Sequence, residues 1–387
     1  MADAKEAARE RVEQARDELV ALSRRIHANP ELGFEEEQAC AWLCELLDGG
    51  GLEVERGVGD LPTAFAARAG SGPLHVVVCA EYDALPGVGH ACGHNVIAAM
   101  AAGAGLALAR VADDAGLRVT VLGTPAEEGG GGKILLLQRG AFGGAHVAMM
   151  VHPSPYEQAE MPIIAVDHMQ IAYTGKEAHA SAYPFLGVNA ADALVVAQTA
   201  IGLLRQHLRA SDRVHGIVTK GGDAANIIPA RTEGDWMVRA TDLEQLAEVR
   251  DKVTRCFEAG ALATGATLEL TGDENPYSEM RHDHDLSALY QRNGEALGRS
   301  FLDRANRGAG STDMANVSLA LPSIHPTIGI DALPAVNHQP EFTAKCATPA
   351  ADQAVFDGAV AMAWTAIDAA ADPALRERLL AGPGSRT

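Results

Sequence analysis

The sequence has little of several residue types that mark common protein classes. Only six of its 387 residues are cysteine, no two cysteines form a Cys-x-x-Cys pair, and aromatic residues make up 4%. This cysteine usage argues against a disulfide framework and against a zinc ribbon. Basic residues are also scarce, because 31 Lys and Arg stand against 51 Asp and Glu, giving a net charge of −20. Such a charge repels phosphate backbones and anionic lipids, so we expect neither nucleic acid nor a membrane as a partner.

The sequence also lacks an evident targeting or membrane-spanning segment. The N-terminal stretch MADAKEAARERVEQARDELV is charged from its first turn and has no apolar stretch or small-residue cleavage site of a secretory signal. We therefore expect a cytoplasmic location. The longest apolar run, residues 96–109, is shorter than the roughly 20 residues that span a bilayer. Its Ala and Gly content predicts a buried helix instead.

Strand and helix patterns alternate in the first part of the chain. Three apolar runs have the length and β-branched content of buried strands, at 74–79, 117–122 and 145–151. Helical patterns precede and separate them, at 5–26, 35–48, 95–110 and 132–139. This alternation predicts an α/β domain with a central, mostly parallel sheet covered by helices.

The pattern changes from about residue 167 to residue 282. Alternating segments (HMQIAYTG, RVHGIVTKGG, RTEGDWMVRA and ATLELTGDENPY) flank two helical stretches at 188–208 and 242–261. The order is β-α-β-β-α-β, which predicts a smaller, ferredoxin-like α+β domain. The chain then returns to a helix at 285–298, a strand at 323–330 and a helix at 349–371. We therefore predict that 167–282 is inserted into a first domain formed by 1–166 and 283–387.

Chemically active side chains follow the three predicted strands. Ligands of open α/β sheets bind beyond the carboxyl ends of the strands, so these side chains are expected at one edge. They are Glu81, Asp83, His90, Cys92 and His94 after the first strand, Glu127 and Glu128 after the second, and His152 after the third.

These residue types suit a metal site, although each motif has a plainer interpretation. Cys92-Gly-His94 offers the thiolate and imidazole donors that Zn²⁺ and its neighbours bind, but it also fits a buried thiol beside a hydrogen-bonded histidine. Glu127-Glu128 fits a metal ligand next to a proton acceptor, or a solvated charge pair. His152 and the distant His338 fit ligands, although a core histidine is the commoner role of a single His. The run GGGGK at 129–133 is not a P-loop, because Ile follows the lysine.

Eight motifs occur in the order found in one known family. The sequence resembles metallopeptidase family twenty of clan MH, in the amidohydrolase branch that contains hippurate, indoleacetyl-amino-acid and aminobenzoyl-glutamate hydrolases. The motifs are HANPELGFEE (27–36), AEYDALPGVGHACGHN (80–95), GTPAEEGGGGK (123–133), VHP (151–153), GKEAHASAYPFLGVNA (175–190), NIIPA (226–230), GSTDMANVS (310–318) and NHQPEF (337–342).

The resemblance implies roles for individual residues. It implies a catalytic domain with an inserted lid and dimerisation domain, a homodimer, and two divalent ions, Zn or Mn first and Co or Ni next. Glu127 would be the general base, His179 would stabilise the oxyanion from the partner subunit, and Asp83 would orient a ligand. The implied metal ligands are Cys92, His94, Glu128, His152 and His338, with the Cys92 thiolate bridging the ions.

Residues for the substrate carboxylate are also suggested by analogy with the family. Surface ion pairs and turn capping explain the same residues equally well. The candidates are Asn226, Arg231, Arg239, Ser311 and Thr312.

The main functional expectation is amide hydrolysis of N-acyl amino acids or aminobenzoyl-glutamate-like conjugates, by a metal-bridging hydroxide with a Glu base. One alternative is a dipeptidase acting on small dipeptides such as β-alanyl-lysine. Asn95 stands where the commoner amidohydrolase motif has Asp. An Asn at this position resembles the aminobenzoyl-glutamate and dipeptide hydrolase subgroup. A non-catalytic amino-acid- or peptide-binding protein is a further alternative. Zinc-dependent base deamination is excluded, because the sequence lacks HxE paired with PCxxC.

Overall fold

The computed structural model describes residues 2–272, 275–302 and 310–382 of the chain. The chain divides into two units. Unit 1 comprises Met1–Pro162 and Met280–Thr387, and unit 2 comprises Ile163–Glu279. Unit 2 covers most of the stretch 167–282 that was predicted to be an insertion, but it begins and ends a few residues earlier.

The helices and strands are numbered in chain order. The α-helices are α1 (Ala2–Gln14), α2 (Arg16–Ala28), α3 (Glu37–Gly49), α4 (His94–Ala115), α5 (Gly132–Gln138), α6 (Ala190–Leu204), α7 (Leu243–Thr264), α8 (His284–Ala296), α9 (Met314–Ala320), α10 (Pro340–Lys345), α11 (Pro349–Ala371) and α12 (Pro373–Leu380). The strands are β1 (Glu53–Arg56), β2 (Phe65–Ala69), β3 (Leu74–Ala80), β4 (Leu117–Gly123), β5 (Val147–Met149), β6 (His152–Ser154), β7 (Ala165–Thr174), β8 (Arg213–Lys220), β9 (Arg231–Ala240), β10 (Thr267–Gly272), β11 (Ser323–Ile324) and β12 (Thr327–Gly329). Short 3₁₀ turns occupy Val58–Asp60, Pro184–Leu186 and Arg205–His207.

Unit 1 is built on a six-stranded sheet in the order β1-β2-β4-β3-β5-β11. The pairs β4–β3, β3–β5 and β5–β11 are parallel, whereas β1–β2 and β2–β4 are antiparallel. Every residue of β3 is buried, as expected for a central strand of a covered parallel sheet. The α/β fold class and the mostly parallel sheet are therefore confirmed.

Helix α4 packs against β3 and β4 and against helices α1, α2 and α11. Its small residues allow this close packing. A Cβ added at Gly105 would lie 2.2 Å from Val121 of the sheet, and one at Gly103 would lie 2.9 Å from Ala359 of α11. Because α4 begins at His94, its position in the core determines where that side chain lies.

Helices α4 and α11 are long and apolar enough to cross a membrane by length and composition alone. In their most apolar stretches, 89% and 83% of the residues are buried inside the protein. The buried helix expected from the run at 96–109 is confirmed within α4. The apolar character of both helices is explained by their place in the core of unit 1.

Unit 2 contains an antiparallel four-stranded sheet in the order β10-β7-β9-β8. Helices α6 and α7 pack on the sheet and on each other, around a core that includes Tyr173, Trp236 and Phe257. The chain order β7-α6-β8-β9-α7-β10 is the predicted β-α-β-β-α-β arrangement.

The stretch 323–330 was expected to form one strand, and that prediction is wrong. The structure has two short strands there, and they belong to different sheets: β11 pairs with β5, and β12 pairs with β6. The proline at 326 lies between them and has no N–H for a ladder, which accounts for the break. The antiparallel strands β1 and β2 were not anticipated.

Candidate metal centre

The centre forms where the parallel strands of unit 1 end. Strand β3 ends just before Glu81 and Asp83, and β4 ends three residues before Ala126. His152 lies shortly after β5 and begins β6. The carboxyl ends of parallel strands share one edge, so three chain segments meet there.

The five residues expected to bind metal lie together in two groups. Cys92, His94 and His152 form one group, and Cys92, Glu128 and His338 form the other. In each group the potential ligand atoms lie within 4.8 Å of one another. Cys92 belongs to both groups, which is the place that a bridging thiolate would occupy between two ions.

Distances around Cys92 fit metal coordination. Its Sγ lies 3.6 Å from His152 Nε2 and 3.4 Å from His338 Nε2. A sulfur at about 2.3 Å and a nitrogen at about 2.0–2.1 Å from a tetrahedral Zn²⁺ are roughly 3.5 Å apart. The set of thiol, imidazole and carboxylate donors therefore fits divalent ions such as Zn²⁺ in both composition and spacing.

The protonation states of His152 and Cys92 affect metal binding in opposite directions. Burial lowers the pKa of His152 to about 4, so its ring is neutral at pH 7 and can bind a metal. Burial and the neighbouring Glu128 raise the pKa of the Cys92 thiol well above its ordinary value. A bound divalent ion reverses that effect, because it stabilises the thiolate directly.

Asp83 holds two parts of the centre in position. Its Oδ1 lies 2.9 Å from His94 Nδ1, and its Oδ2 accepts a hydrogen bond from the Glu128 backbone N–H at 3.0 Å. With Nδ1–H donating to the carboxylate, the His94 Nε2 lone pair is directed at the ligand group. Asp83 therefore contacts both segments, and its role in orienting a ligand stays a prediction.

Glu127 lies in a third group, together with Glu81 and His94. Its side chain is buried, and its Oε2 lies 3.9 Å from His94 Nε2. Burial and the carboxylates of Glu81 and Glu128 raise the pKa of Glu127 well above its ordinary value. A carboxyl group held next to a metal centre with a raised pKa is suited to accept and return a proton.

Residues with positive φ angles occur in the segments that carry the possible metal ligands and Glu127. Gly93 has φ +80°, and a Cβ there would lie 2.5 Å from Pro153 Cγ. Ala126, immediately before Glu127, has φ +58°, and its N–H donates to the buried Glu36 carboxylate at 2.8 Å. His338 itself has φ +70°. Positive φ is uncommon for residues other than glycine and concentrates at functional sites.

Three further residues at this edge were not identified as site residues from the sequence. Glu81 faces the ligand group, and the buried Lys133 pairs with both Glu81 and Asp313. Glu81 directly follows a buried strand, and this position in the sequence could have identified it as a site residue. Apart from the excluded P-loop, no sequence pattern around Lys133 predicts a site residue.

The remaining candidates are His179 and the five residues expected to bind the substrate carboxylate. His179 is exposed in unit 2, next to the segment of Asn226, whose carbonyl accepts the Ala180 N–H at 3.0 Å. Arg231 pairs with Glu233 at 2.8 Å and with Glu269 at 3.2 Å. These ion pairs match the plainer interpretation of Arg231 as a surface residue.

The other three pocket candidates lie in both units. Arg239 lies on β9 of unit 2, where its Nε is 3.4 Å from His215 Nε2. In unit 1, Ser311 is half-buried and Thr312 accepts the Met314 N–H at 3.2 Å, close to the start of α9. Thr312 therefore acts as a turn cap in this structure, and a contact with substrate stays a prediction for all five residues.

Comparison with known proteins supports the same chemistry. Residues 77–352 match Peptidase family M20/M25/M40. The chain is 41% identical to the Xaa-Arg dipeptidase of Mus musculus over 96% of this chain and 90% of that protein. It is 31% identical to one of the subunits of the p-aminobenzoyl-glutamate hydrolase of Escherichia coli, over 72% of this chain and 63% of that protein.

A solved structure confirms the fold. A dinuclear metal-binding peptidase of Bacillus subtilis superposes with a TM-score of 0.70 at 22% identity, covering 92% of this chain and 98% of that one. The resemblance stated from the motifs is confirmed. The Mus musculus relative supports the dipeptidase alternative better than the main expectation of an N-acyl-amino-acid hydrolase. The chain is a hydrolase of amide bonds, and it belongs to peptidase family M20/M25/M40.

Proposed function

We propose that this protein is a metal-dependent dipeptidase that releases a basic amino acid, arginine or lysine, from the carboxyl end of a dipeptide. The observation that carries the proposal is the pair of donor groups sharing Cys92, with Glu127 buried beside them. The basic residue is suggested by the name of the 41% identical Xaa-Arg dipeptidase. A net charge of −20 supports it, because it attracts a cationic dipeptide more than an anionic conjugate.

Two divalent ions, Zn or Mn first and Co or Ni next, fit the donor set. When bound, such ions polarise the substrate carbonyl and lower the pKa of water. Cys92 would be shared by the two ions, with His94 and His152 completing one set of ligands and Glu128 and His338 the other.

Glu127 is the proton carrier of the reaction. Its carboxylate accepts a proton from the attacking water as the new C–O bond forms. When the C–N bond breaks, the same proton passes to the leaving amine, so Glu127 returns to its starting state. Its position 3.9 Å from His94 Nε2 and its burial suit this role.

Other parts of the proposal rest on the resemblance to the family. His179 would reach the carbonyl oxygen from a partner subunit, and unit 2 would act as the lid and dimerisation domain. A hydrogen-bond donor to the developing oxyanion typically contributes roughly 3–4 kcal/mol. The homodimer and the cytoplasmic location belong to the same set of proposals.

The test compares wild-type protein with Glu127→Gln, which keeps the shape of the side chain but cannot carry a proton. Both are loaded with Zn²⁺ or Mn²⁺ and incubated with alanyl-arginine, β-alanyl-lysine, N-acetyl-arginine and p-aminobenzoyl-glutamate, and released amines are measured by mass spectrometry. We expect the wild type to prefer the basic dipeptides. We expect Glu127→Gln to bind metal normally and lose at least 10²-fold in turnover, the lower range for acid–base catalysis.

Glu55→Gln is the matched control, because Glu55 is exposed on β1 and pairs only with Arg68 in the described structure. It should match the wild type on every substrate. Near-normal turnover by Glu127→Gln would refute the role of Glu127. Preference for p-aminobenzoyl-glutamate would refute the substrate class. Inactivity on the whole panel, with two ions bound, would favour the non-catalytic alternative.

A further inference from the structure

A buried ion cluster lies against the metal centre. It consists of Glu81, Lys133 and Asp313, all with no measurable exposure to solvent, and we call it the Lys133 cluster. Lys133 Nζ donates to Glu81 Oε1 at 2.5 Å and to Asp313 Oδ1 at 2.7 Å. Asp313 Oδ2 also accepts the Lys133 backbone N–H at 2.8 Å. Lys133 is therefore fixed at both its backbone and its side chain.

The second oxygen of Glu81 points away from Lys133 and into the metal centre. Glu81 Oε2 lies 3.4 Å from His94 Nε2, yet neither atom makes a hydrogen bond within the described structure. Burying polar atoms without hydrogen bonds is unfavourable. A cation placed between the two atoms would satisfy both, and Glu81 and His94 lie in one group of possible metal ligands.

The separation of these two atoms fits a shared ion. Nitrogen and oxygen ligands each lie about 2.0–2.2 Å from Zn²⁺, so two of them at a tetrahedral angle are roughly 3.4 Å apart. The observed Glu81–His94 distance matches that value. We propose that Glu81 is a sixth protein ligand of the centre, bound to the ion held by His94, and that Lys133 and Asp313 are positioning residues that hold its carboxylate in place.

A purely structural role for Glu81 makes different predictions. If Glu81 serves only to neutralise Lys133, its replacement lowers stability but leaves the ions unaffected. If it is a ligand, its replacement weakens one ion and changes the coordination of that ion. The inference rests on the metal centre of the proposed function but not on its substrate, so metal binding alone can test it.

The experiment uses metal-free full-length protein titrated with Co²⁺ and, separately, with Zn²⁺ against a competing chromophoric chelator. The variants are Glu81→Gln, which keeps the hydrogen bond to Lys133 but removes the anionic ligand, and Lys133→Met, which removes the ammonium. We expect the wild type to bind two ions. Glu81→Gln should weaken one of them by at least tenfold and alter the visible Co²⁺ spectrum. Lys133→Met should weaken the same ion by roughly 10- to 100-fold, as expected when a group that orients a ligand is lost.

Asp357→Asn is the matched control, because Asp357 is a buried carboxylate of α11 that pairs with Arg299 outside the centre. It should lower the melting temperature without changing either affinity. The inference is overturned if Glu81→Gln binds both ions within twofold of the wild type with an unchanged Co²⁺ spectrum. If Glu81→Gln does not fold, Glu81→Asp decides, because its shorter side chain must then shift the spectrum. A wild type that binds no ion would instead refute the proposed function.

Discussion

Replacing Asp83 with Asn tests how the centre is assembled. Asp83 accepts hydrogen bonds at both carboxylate oxygens, from His94 Nδ1 and from the Glu128 N–H. An asparagine has one acceptor oxygen, so its amide N–H₂ must face one of these two donors. If it faces His94, the ring favours the tautomer with the proton on Nε2, which cannot bind a metal.

The size of the effect follows from the hydrogen bonds around His94. A hydrogen bond to a charged group contributes about 1.5–3 kcal/mol. The Asp83 backbone carbonyl also lies 2.9 Å from His94 Nδ1, so the ring keeps one acceptor in the variant. We therefore expect a loss at the lower end, about 1.5 kcal/mol, which is roughly a tenfold weakening of metal binding.

The assay is Zn²⁺ titration of the metal-free protein in chelator buffers, followed by turnover at saturating Zn²⁺. Asp83→Asn should bind Zn²⁺ about tenfold more weakly and regain most of its activity when metal is in excess. Asp212→Asn is the control, since Asp212 is a buried aspartate of unit 2 that accepts hydrogen bonds from the Arg209 N–H and the Gln245 side chain. A folded Asp83→Asn protein with wild-type Zn²⁺ affinity would show that the carboxylate does not orient His94.

Two further predictions concern the backbone of the centre and the core of unit 1. Gly93→Ala places a Cβ 2.5 Å from Pro153 Cγ at a residue with φ +80°, so it should weaken metal binding at least tenfold, measured by the same titration. His75 is buried with its pKa lowered to about 4, so below its ordinary value of 6.5 only the unfolded chain binds the proton. The free energy of unfolding should therefore fall by about 3 kcal/mol between pH 6.5 and 4, and His75→Gln should remove that part of the slope in urea denaturation. Equal slopes for the two proteins would refute this assignment.

Much of the fold could be predicted because its strands are buried on both faces. Strands β3 and β4 are continuous apolar runs, and their ends were placed within one residue. The prediction failed where the local signal is weak. Strands β1 and β2 lie at the antiparallel side of the sheet. All four residues of β1 are at least partly exposed, so no apolar run marks this strand in the sequence.

The edge of the sheet that carries the metal centre could also be predicted, because the buried parallel strands are marked by apolar runs. Acids, imidazoles and a thiol follow three successive strands, and parallel strands end on one side of a sheet. Lys133 could not be assigned in this way, because its partners lie 52 and 180 residues away in the sequence. Lys133 lies in the first turn of an apolar helix. The neighbouring residues in the sequence do not show whether its side chain is exposed or is paired with two buried carboxylates.

The geometry within the centre depends on backbone conformations that residue patterns do not encode. Three of the segments that meet there contain a residue with positive φ: Gly93 between two ligands, Ala126 before Glu127, and His338 itself. Of these, only glycine adopts such a conformation readily, so Ala126 and His338 are held in it by tertiary contacts. The Ala126 N–H donates to Glu36, and the His338 N–H donates to the Ala91 carbonyl at 2.9 Å. The second contact joins the His338 segment directly to the segment that carries Cys92. The ligand positions are therefore properties of the assembled fold, in which each strained segment is held by hydrogen bonds to another.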